Sequence, residues 1–243
     1  MNKVINLKIE PDKESGLTYD LHLHSQFSQD SLVDIRKLPK IVRKKGLNGI
    51  AITDHKSLNG YRYLKNKIDD FLIIPGMEIE TELGEIIGLF ITEEINPNLT
   101  DFVDVMDDIK DKDGIAVIPH PFDRYRSNHL KVDIMNHDYI RQNINAVEIL
   151  NSRIINKKFI YEAMQFCQFF NLAETGGSDA HTNWEVGNGY TFIEKKDPEE
   201  ILDLASLKSR ILSKKSKSCG KQSNPLVHAV TVARKMRMKF LGK

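Results

Sequence analysis

Two histidines separated by one residue stand near the start of the chain, between two acidic residues. The stretch YDLHLHSQFSQD contains His22 and His24, with Asp20 before them and Asp30 after them. Side chains at positions i and i+2 of a β-strand project to the same side, so a strand here would direct both imidazoles into one space. Imidazole nitrogens and carboxylate oxygens that converge at about 2.0–2.2 Å are typical ligands of Zn²⁺ and related cations. The stretch therefore predicts part of a metal site.

More histidines and acids stand where later apolar segments end. They are Asp54, His55, Glu78, His120, Asp179 and His181. A single histidine at a strand end is usually a hydrogen-bonded structural residue. A series of such signals on successive segments is harder to attribute to chance, because polar groups left unpaired there would be costly. We interpret the set as ligands of zinc, manganese or iron, which accept nitrogen and oxygen donors.

The segments that carry these residues alternate with helix-like segments. For example, DIRKLPKIVRKKG has apolar residues at helical spacing and ends at Gly46, a residue type common at helix C-termini. Strands that alternate with helices predict a mainly parallel sheet, and about six or seven such units in some 200 residues suit an α/β barrel. The C-terminal ends of the strands of such a barrel share one face, so the polar residues would meet there.

The remaining segments are assigned by the same patterns. TELGEIIGLFI is expected to be a further strand and a candidate hairpin partner. Residues 122–140 are expected to form a long polar connection. Helices are predicted near 58–69, 101–112 and 155–170 and in DPEEILDLA. Residues 1–212 are thus predicted to form the barrel, and residues 213–243 a basic C-terminal part with a linker at 213–225 and a final helix.

The composition favours a cytoplasmic protein. Of its 243 residues, 40% are hydrophobic, which is enough for a sizeable core. Cys167 and Cys219 have no CxxC spacing, so no disulfide framework is expected and a reducing cytosol is favoured. The N-terminal residues contain no apolar run of the signal-peptide type, and no segment approaches the ~18–20 apolar residues that cross a bilayer.

The charges are divided unevenly along the chain. The net charge is +1, but residues 204–243 contain eleven Lys and Arg and no Asp or Glu, whereas the part before them has a net charge of −10. This basic segment could pack on the acidic barrel, contact a second subunit or attract nucleic acid. A membrane partner is not expected. Phe240 is its only aromatic residue, so it offers no stacking platform for bases.

Taken in order, the motifs DLHLHS, ITDH, PGMEI, PHP and GGSDAH resemble those of the polymerase and histidinol phosphatase (PHP) family, from about residue 18 to 195. The resemblance implies a distorted seven-stranded (β/α) TIM-like barrel with the metal site at the C-terminal ends of the strands. It also implies two or three divalent ions (Zn, Mn or Fe). The implied activity is hydrolysis of a phosphate ester by a metal-activated hydroxide, the substrate being a small metabolite, a nucleotide or a nucleic-acid end.

The same resemblance assigns ligands to the ions. It implies three groups: His22, His24 and Asp179 for the first ion; Glu78, which bridges to it, and His120 for the second; and Asp30, His55 and His181 for the third. Asp30 lies six residues after His24, where many family members have five, so a one-residue loop insertion is implied. Glu85 stands where many members have a histidine. It is either a ligand, which we favour, or a residue of the strand surface.

Substrate recognition is expected from side chains beside the mouth of the barrel. Arg124 and Arg126 directly follow the PHP motif, and Arg124 is favoured because it is nearer to His120. Arg153 is the other candidate. An arginine can grip a phosphate with two parallel hydrogen bonds.

Seven other polar residues are assigned lesser roles. Asn151 and Ser152 are candidate substrate contacts. Asp54 and Glu148 are candidates for orienting ligands, with a strand-end cap as the alternative for Asp54. Ordinary solvated histidines are expected at 129, 137 and 228.

Three functions are compared. The favoured one is a metal-dependent phosphoesterase that acts on a phosphorylated small molecule or nucleotide. The second is a C–N hydrolase of the amidohydrolase type, because metal sites in barrels also activate water against amides. The third is a non-catalytic module associated with nucleic acid, which the nearly complete ligand set disfavours.

Overall fold

The computed structural model of the protein describes residues 13–131, 136–231 and 234. Its strands are β1 (Gly16–Leu23), β2 (Gly49–Ile52), β3 (Leu72–Thr81), β4 (Gly84–Leu89), β5 (Ile115–Ile118), β6 (Ala146–Asn151), β7 (Ala173–Gly177), β8 (Gly189–Glu194) and β9 (Ser216–Gly220). Its helices are α1 (Leu38–Lys45), α2 (Asn59–Leu64), α3 (Phe102–Asp111), α4 (Asp138–Asn143), α5 (Lys157–Phe169) and α6 (Leu204–Leu212). Residues 226–231 are also helical.

All nine strands belong to one sheet, in the order β7-β6-β5-β4-β3-β2-β1-β8-β9. The strands β1, β2 and β3 run parallel to one another, and so do β5, β6 and β7. The strand β4 is antiparallel to both of its neighbours, and so is β8. The sheet is therefore mixed, and its parallel strands form two groups of three.

The sheet closes on itself where the segment after β7 meets β1. The backbone N–H of Asp179 donates to the carbonyl of His22 over 2.6 Å, and that of His24 donates to the carbonyl of Ala180 over 3.0 Å. Gly177 fits at this seam because it has no side chain: a Cβ there would lie 2.3 Å from the Cβ of His22. The two histidines of the first motif are thus fixed against the segment that carries the last one.

The helices α1, α3, α5 and α6 each bury an apolar stripe. Leu38 and Val42 of α1 are buried, whereas its lysines and Arg43 are exposed or partly exposed. The helix ends at Gly46, whose φ of 66° is the left-handed conformation that the sequence pattern predicts. The largest apolar cluster lies between α3, α5 and the strands β3 to β6. Full burial of one such side chain contributes roughly 1.5–3 kcal/mol to the stability of the folded chain, so this packing holds the strand ends in place.

The predicted α/β barrel is confirmed, but within the described residues its sheet has nine strands rather than seven. The ninth strand, β9, lies inside the predicted linker at 213–225 and pairs with β8, so that part of the linker prediction was wrong. The helix predicted in DPEEILDLA begins only at Leu204, because the carboxylate of Asp203 caps it by accepting the N–H of Ser206 over 2.7 Å. The predicted final helix is described at 226–231, and residues 232–233 and 235–243 lie outside the described part.

Candidate metal centre

The C-terminal ends of the parallel strands surround a cavity of about 890 Å³. Six predicted ligands line it: Asp30, His55, Glu78, Glu85, Asp179 and His181. The other three, His22, His24 and His120, are buried and contact the lining carboxylates. All nine predicted ligands are therefore brought together in one region.

Strand direction explains why residues so far apart in sequence meet here. His22 and Glu78 lie on the parallel strands β1 and β3, and His120 follows β5. Glu85 joins them from β4, which runs the other way, so that its first residues lie beside the last residues of β3. The β3–β4 hairpin pairs Glu80 with Glu85. The antiparallel strand thus adds a carboxylate that parallel strands alone would not supply.

The first group of ligands consists of His22, His24, Glu78 and Asp179. The Nε2 atoms of the two histidines are 3.2 Å apart. Oε1 of Glu78 lies 3.4 Å from Nε2 of His22, and its Oε2 lies 3.1 Å from Nε2 of His24. Oδ1 of Asp179 is 3.6 Å and 3.5 Å from the same two nitrogens. Four side chains thus direct donor atoms at a common point.

Glu78 also connects this group to two others. Its Oε1 lies 3.4 Å from Nε2 of His120, which is 3.3 Å from Oε2 of Glu85. Its Oε2 lies 3.3 Å from Nδ1 of His55. Glu85 is 5% exposed, so the structure excludes its alternative as a residue of the strand surface. Each of the two oxygens of Glu78 therefore faces imidazole nitrogens of two histidines, and Glu78 lies between the groups.

The third group is formed by Asp30, His55 and His181. Oδ2 of Asp30 lies 3.3 Å from Nε2 of His181 and 3.6 Å from Nε2 of His55. The rings of His55 and His181 each have their centroid 4.5 Å from that of His24. The extra residue before Asp30 thus does not prevent its carboxylate from reaching the cluster.

These residues fit divalent ions that bind nitrogen and oxygen. Among the residues that the structure describes, four sets of three have possible ligand atoms within 4.8 Å of one another: His24, His55 and His181; His22, Glu78 and His120; His22, His24 and Asp179; and His55, Glu78 and Glu85. Several of these buried atoms make no hydrogen bond within the described residues: Nδ1 and Nε2 of His120, Oε1 of Glu78 and Oδ1 of Asp179. A buried polar atom without a partner is costly, and a bound cation would supply one.

Hydrogen bonds made by Nδ1 of His22 and of His181 direct the Nε2 atoms of these two imidazoles into the cluster. Nδ1 of His22 lies 3.1 Å from Oε1 of Glu148, and Nδ1 of His181 lies 2.8 Å from the carbonyl of Asp179. These acceptors require a proton on Nδ1, which leaves the lone pair on Nε2 for a metal. Glu148, predicted as a residue that orients a ligand, is in position to do so.

Ser28 performs the same task for His24 and was not predicted. Its hydroxyl lies 3.1 Å from Nδ1 of His24, accepts the backbone N–H of His55 over 3.0 Å and donates to Oδ1 of Asp54 over 2.8 Å. Asp54 also accepts the N–H and the hydroxyl of Ser25. Asp54 thus reaches the ligand imidazole only through Ser28 and also accepts hydrogen bonds from the loop after β1, a geometry that fits either alternative.

The electrostatic field of the cluster shifts the pKa values of its acids in opposite directions. Burial would raise the pKa of Glu78, but His22, His120 and His24 hold it well below its usual range. Burial would likewise raise the pKa of Asp179, which Arg126 and His22 hold low. Burial, followed by the charge of Glu78, raises the pKa of Glu85 to about 7. The site therefore keeps the carboxylates of Glu78 and Asp179 ionised, as metal ligands must be.

Two predicted ligands have unusual backbone conformations. The φ angle is 28° at His120 and 50° at Asp179. Residues other than glycine adopt positive φ uncommonly, although Asn, Asp and His do so more often than others. Such conformations often occur at functional sites, where the surrounding structure holds them in place. Here they turn the chain sharply after β5 and β7, so that both side chains face the cluster.

The structure brings two of the three candidate arginines to the cavity. The guanidinium of Arg126 donates to Oδ2 of Asp179 over 2.6 Å and to Oδ2 of Asp123 over 3.0 Å. Arg153 is 5% exposed and lines the cavity, with Nε 3.3 Å from Oε1 of Glu185. Arg124 instead points outwards and donates to Glu162 over 2.6 Å. The preference for Arg124 over Arg126 does not agree with this geometry.

Further polar residues near the cavity differ from expectation. Asn151 donates to Glu148 over 2.9 Å and to Asp179 over 3.2 Å, so it lies beside the ligands. Ser152 instead donates to the carbonyl of Ser178 over 2.6 Å and supports the seam. His228, expected in solvent, lines the cavity, and its Nε2 lies 2.9 Å from the carbonyl of Arg153. Thr231 lines it as well, and no motif marks either residue.

Comparison with known families identifies the chain. The model of the PHP domain matches residues 20–163, and that of the PHP-associated domain matches residues 161–207. The first match alone covers more than half of the sequence. The chain belongs to the PHP family. An uncharacterized protein of Methanocaldococcus jannaschii is 36% identical to this PHP protein over 204 residues, which cover 80% of the chain and 81% of that protein.

Solved structures share the fold at low sequence identity. A two-domain protein from Bacteroides vulgatus that contains a predicted PHP-like metal-dependent phosphoesterase has a TM-score of 0.70 and 20% identity, over 87% of this chain and 67% of that one. A putative metal-dependent phosphoesterase from Bifidobacterium adolescentis has a TM-score of 0.59 and 17% identity, over 81% and 96%. An amidohydrolase from Chromobacterium violaceum has a TM-score of 0.58 and 14% identity, over 82% and 97%.

The helices of this PHP protein are short. Among the described residues, none has both the length and the apolar character that crossing a membrane requires.

Proposed function

We propose that this PHP protein is a metal-dependent hydrolase that cleaves phosphate esters. The observation that carries the proposal is the convergence of nine nitrogen- and oxygen-bearing side chains on one cavity that two arginines also line. A metal-binding module without catalysis would need the ligands but not Arg126 and Arg153. An anionic substrate would use both.

The ligand groups indicate which residues would hold each ion. His22, His24 and Asp179 would hold the first, His120 and Glu85 the second, and Asp30, His55 and His181 the third, with Glu78 shared. The chemistry that bound divalent ions supply is a lower pKa for water and polarisation of phosphoryl oxygens. Zinc, manganese and iron all suit this donor set.

The residues of the chain contribute orientation and charge. Glu148 and Ser28 keep Nε2 of His22 and His24 directed at the ligand positions. Arg126 and Arg153 place positive charge at the cavity wall, where a phosphoryl group spreads negative charge over its oxygens as it reacts. Arg126 has Asp179 and Asp123 as its present partners, so a substrate phosphate would share this guanidinium with them.

A C–N hydrolase is the second candidate function. It is favoured by the structural likeness to the amidohydrolase from Chromobacterium violaceum. The ligand set alone suits either reaction, because water activation is common to both. The two arginines favour the phosphoesterase, since a neutral amide offers nothing for a guanidinium pair to neutralise.

The test is hydrolysis by the full chain supplied with Mn²⁺ or Zn²⁺. We expect release of nitrophenol from p-nitrophenyl phosphate or bis-p-nitrophenyl phosphate. The rate of hydrolysis should fall at least about 100-fold in the His24→Ala variant, since even residues that only orient metal ligands contribute about 10–100-fold to activity. The matched control is His137→Ala, because His137 is an exposed histidine outside the cluster.

Two arginine variants test the phosphate contact separately. Arg126→Ala should lower kcat/KM by about 10–100-fold, the usual contribution of a hydrogen bond to a charged group, while Arg124→Ala should change it little. Hydrolysis of amides with no turnover of either phosphate ester would reject the phosphoesterase in favour of the second candidate.

A further inference from the structure

The segment after β9 lies across one side of the cavity. We call residues 221–231 together with Arg234 the C-terminal strap. At its start the strap is fixed to the loop that follows β6. The N–H of Ser223 donates to the carbonyl of Ser152 over 2.6 Å, and the side-chain amide of Gln222 donates to the carbonyl of Ile154 over 2.6 Å.

The far end of the strap contacts the loop after β1. Nε of Arg234 donates to the carbonyl of Gln29 over 3.0 Å. Gln29 lines the cavity and immediately precedes Asp30, a predicted ligand of the third group. The strap therefore spans from the loop after β6 to the loop after β1, and two of its residues, His228 and Thr231, line the cavity between these ends.

The strap also holds one of the two cavity arginines. Nη2 of Arg153 donates to the hydroxyl of Thr231 over 2.8 Å, and Nε2 of His228 bonds the carbonyl of Arg153 over 2.9 Å. Glu185 lies on the other side of this guanidinium, with Oε1 3.3 Å from Nε. Arg153 is thus enclosed between Glu185 of the barrel and the strap. The strap, which contains none of the family motifs, helps to fix the position of this guanidinium.

We propose that the C-terminal strap restricts the site to small phosphorylated molecules and excludes polynucleotide chains. The proposal rests on the phosphoesterase function and adds a substrate class to it. A cavity of about 890 Å³ is within the usual range of small-molecule pockets. A polynucleotide needs a groove that continues past the bound phosphate. On the side of the third ligand group the strap lies in that direction, because its Arg234 contacts Gln29, which precedes Asp30.

The test compares the binding of two ligands to the Mn²⁺-loaded full chain, in enough salt to weaken non-specific phosphate contacts. The ligands are adenosine 5′-monophosphate and a 5′-phosphorylated hexanucleotide. The wild-type chain should bind the mononucleotide more tightly. Arg234→Ala should reduce this preference by about tenfold, because it removes a charged hydrogen bond that holds the strap in place. Arg43→Ala, which removes an exposed arginine paired with Asp70, should leave the preference unchanged.

A second pair of variants examines the strap without altering its charge. Thr231→Val removes the hydroxyl that holds Arg153 and should weaken mononucleotide binding, whereas Thr231→Ser should restore it. Equal binding of both ligands by the wild type, an unaltered preference in Arg234→Ala or no binding of either ligand would overturn the proposal. Binding requires no turnover, so a failure of the phosphoesterase function would appear separately, as an absence of nitrophenol release from a chain that still prefers the mononucleotide.

Discussion

At the scale of single residues, Ser28 shows how the site is built from side chains behind the ligands. Its hydroxyl connects His24, the backbone of His55 and Asp54. We predict that Ser28→Ala weakens the binding of Mn²⁺ or Zn²⁺ by about 10–100-fold, as is usual for residues that orient metal ligands. Isothermal titration of the variant with each metal would measure the loss.

A buried serine far from the cluster provides the control for this variant. Ser216 donates to the carbonyl of Glu174 on β7 over 2.6 Å. Ser216→Ala should lower the free energy of unfolding by about 1 kcal/mol and leave metal affinity unchanged. Equal metal affinities for the two variants would show that Ser28 does not orient His24.

The two cysteines give a prediction that depends on pH. Burial raises the pKa of the Cys167 thiol to about 12 and that of the Cys219 thiol to about 11. The thiolate is the reactive form, so both should react slowly with a disulfide reagent at pH 8 in the native protein and rapidly in denaturant. Fast labelling of the native chain at pH 8 would contradict the burial of both side chains.

The sequence could predict the ligands better than the residues around them. Seven of the nine predicted ligands stand in short motifs at strand ends, where residue type and position carry the signal, whereas Asp30 and Glu85 were assigned through the resemblance to the PHP family. Ser28 and Thr231 have no such signal, because serine and threonine are common in loops and act here only through contacts made in the folded chain. Arg124 and Arg126 are two residues apart in one loop, and the turn that separates their directions is not visible in the sequence.

At the scale of elements, the seam between β1 and β7 is the most constrained part of the site. A Cβ at Gly177 would lie 2.3 Å from the Cβ of His22 and 2.8 Å from its backbone nitrogen. Gly177→Ala must move one of the two strands, so we expect it to lower the free energy of unfolding by roughly 1–3 kcal/mol and to weaken metal binding. Urea unfolding and metal titration would measure both effects.

The matched variant is Gly46→Ala at the end of α1. Gly46 has φ of 66° and no atom within 4 Å of a Cβ placed there, so this change adds only a conformational cost of about 1–2 kcal/mol. It should spare metal binding. A Gly177→Ala protein that binds metal as tightly as Gly46→Ala would show that the seam does not position the ligands.

The elements that the sequence indicated least well lie at the C-terminal side. From β1 to β8 the order of strands and helices follows from apolar periodicity and Gly or Pro punctuation, except that α4 (Asp138–Asn143) was not predicted and begins within the expected polar connection at 122–140. The strand β9 has the sequence Ser-Lys-Ser-Cys-Gly, which has the composition of a linker. It becomes a strand because the edge of β8 offers hydrogen-bond partners. The strand propensities of individual residues do not contain this information. The apolar residues of DPEEILDLA predict a helix that starts earlier, but the cap at Asp203 sets the start of α6 at Leu204.

At the scale of the whole molecule, the fold brings donors from six strands and the loops that follow them to one end of the barrel. This PHP protein is expected to be stabilised by the ions it binds, since a ligand that binds only the folded chain raises its stability. The cluster of carboxylates and imidazoles would otherwise remain buried without the cation that satisfies it.

The central claim, that the nine side chains together bind divalent ions, is tested most directly by counting those ions. The full chain would be dialysed against Mn²⁺ or Zn²⁺, freed of excess metal and measured by elemental analysis alongside its melting temperature. We expect two or three ions per chain, a melting temperature above that of the chelator-treated protein, and fewer ions in His24→Ala. A chain that keeps no ion and melts at the same temperature with and without metal would contradict the account.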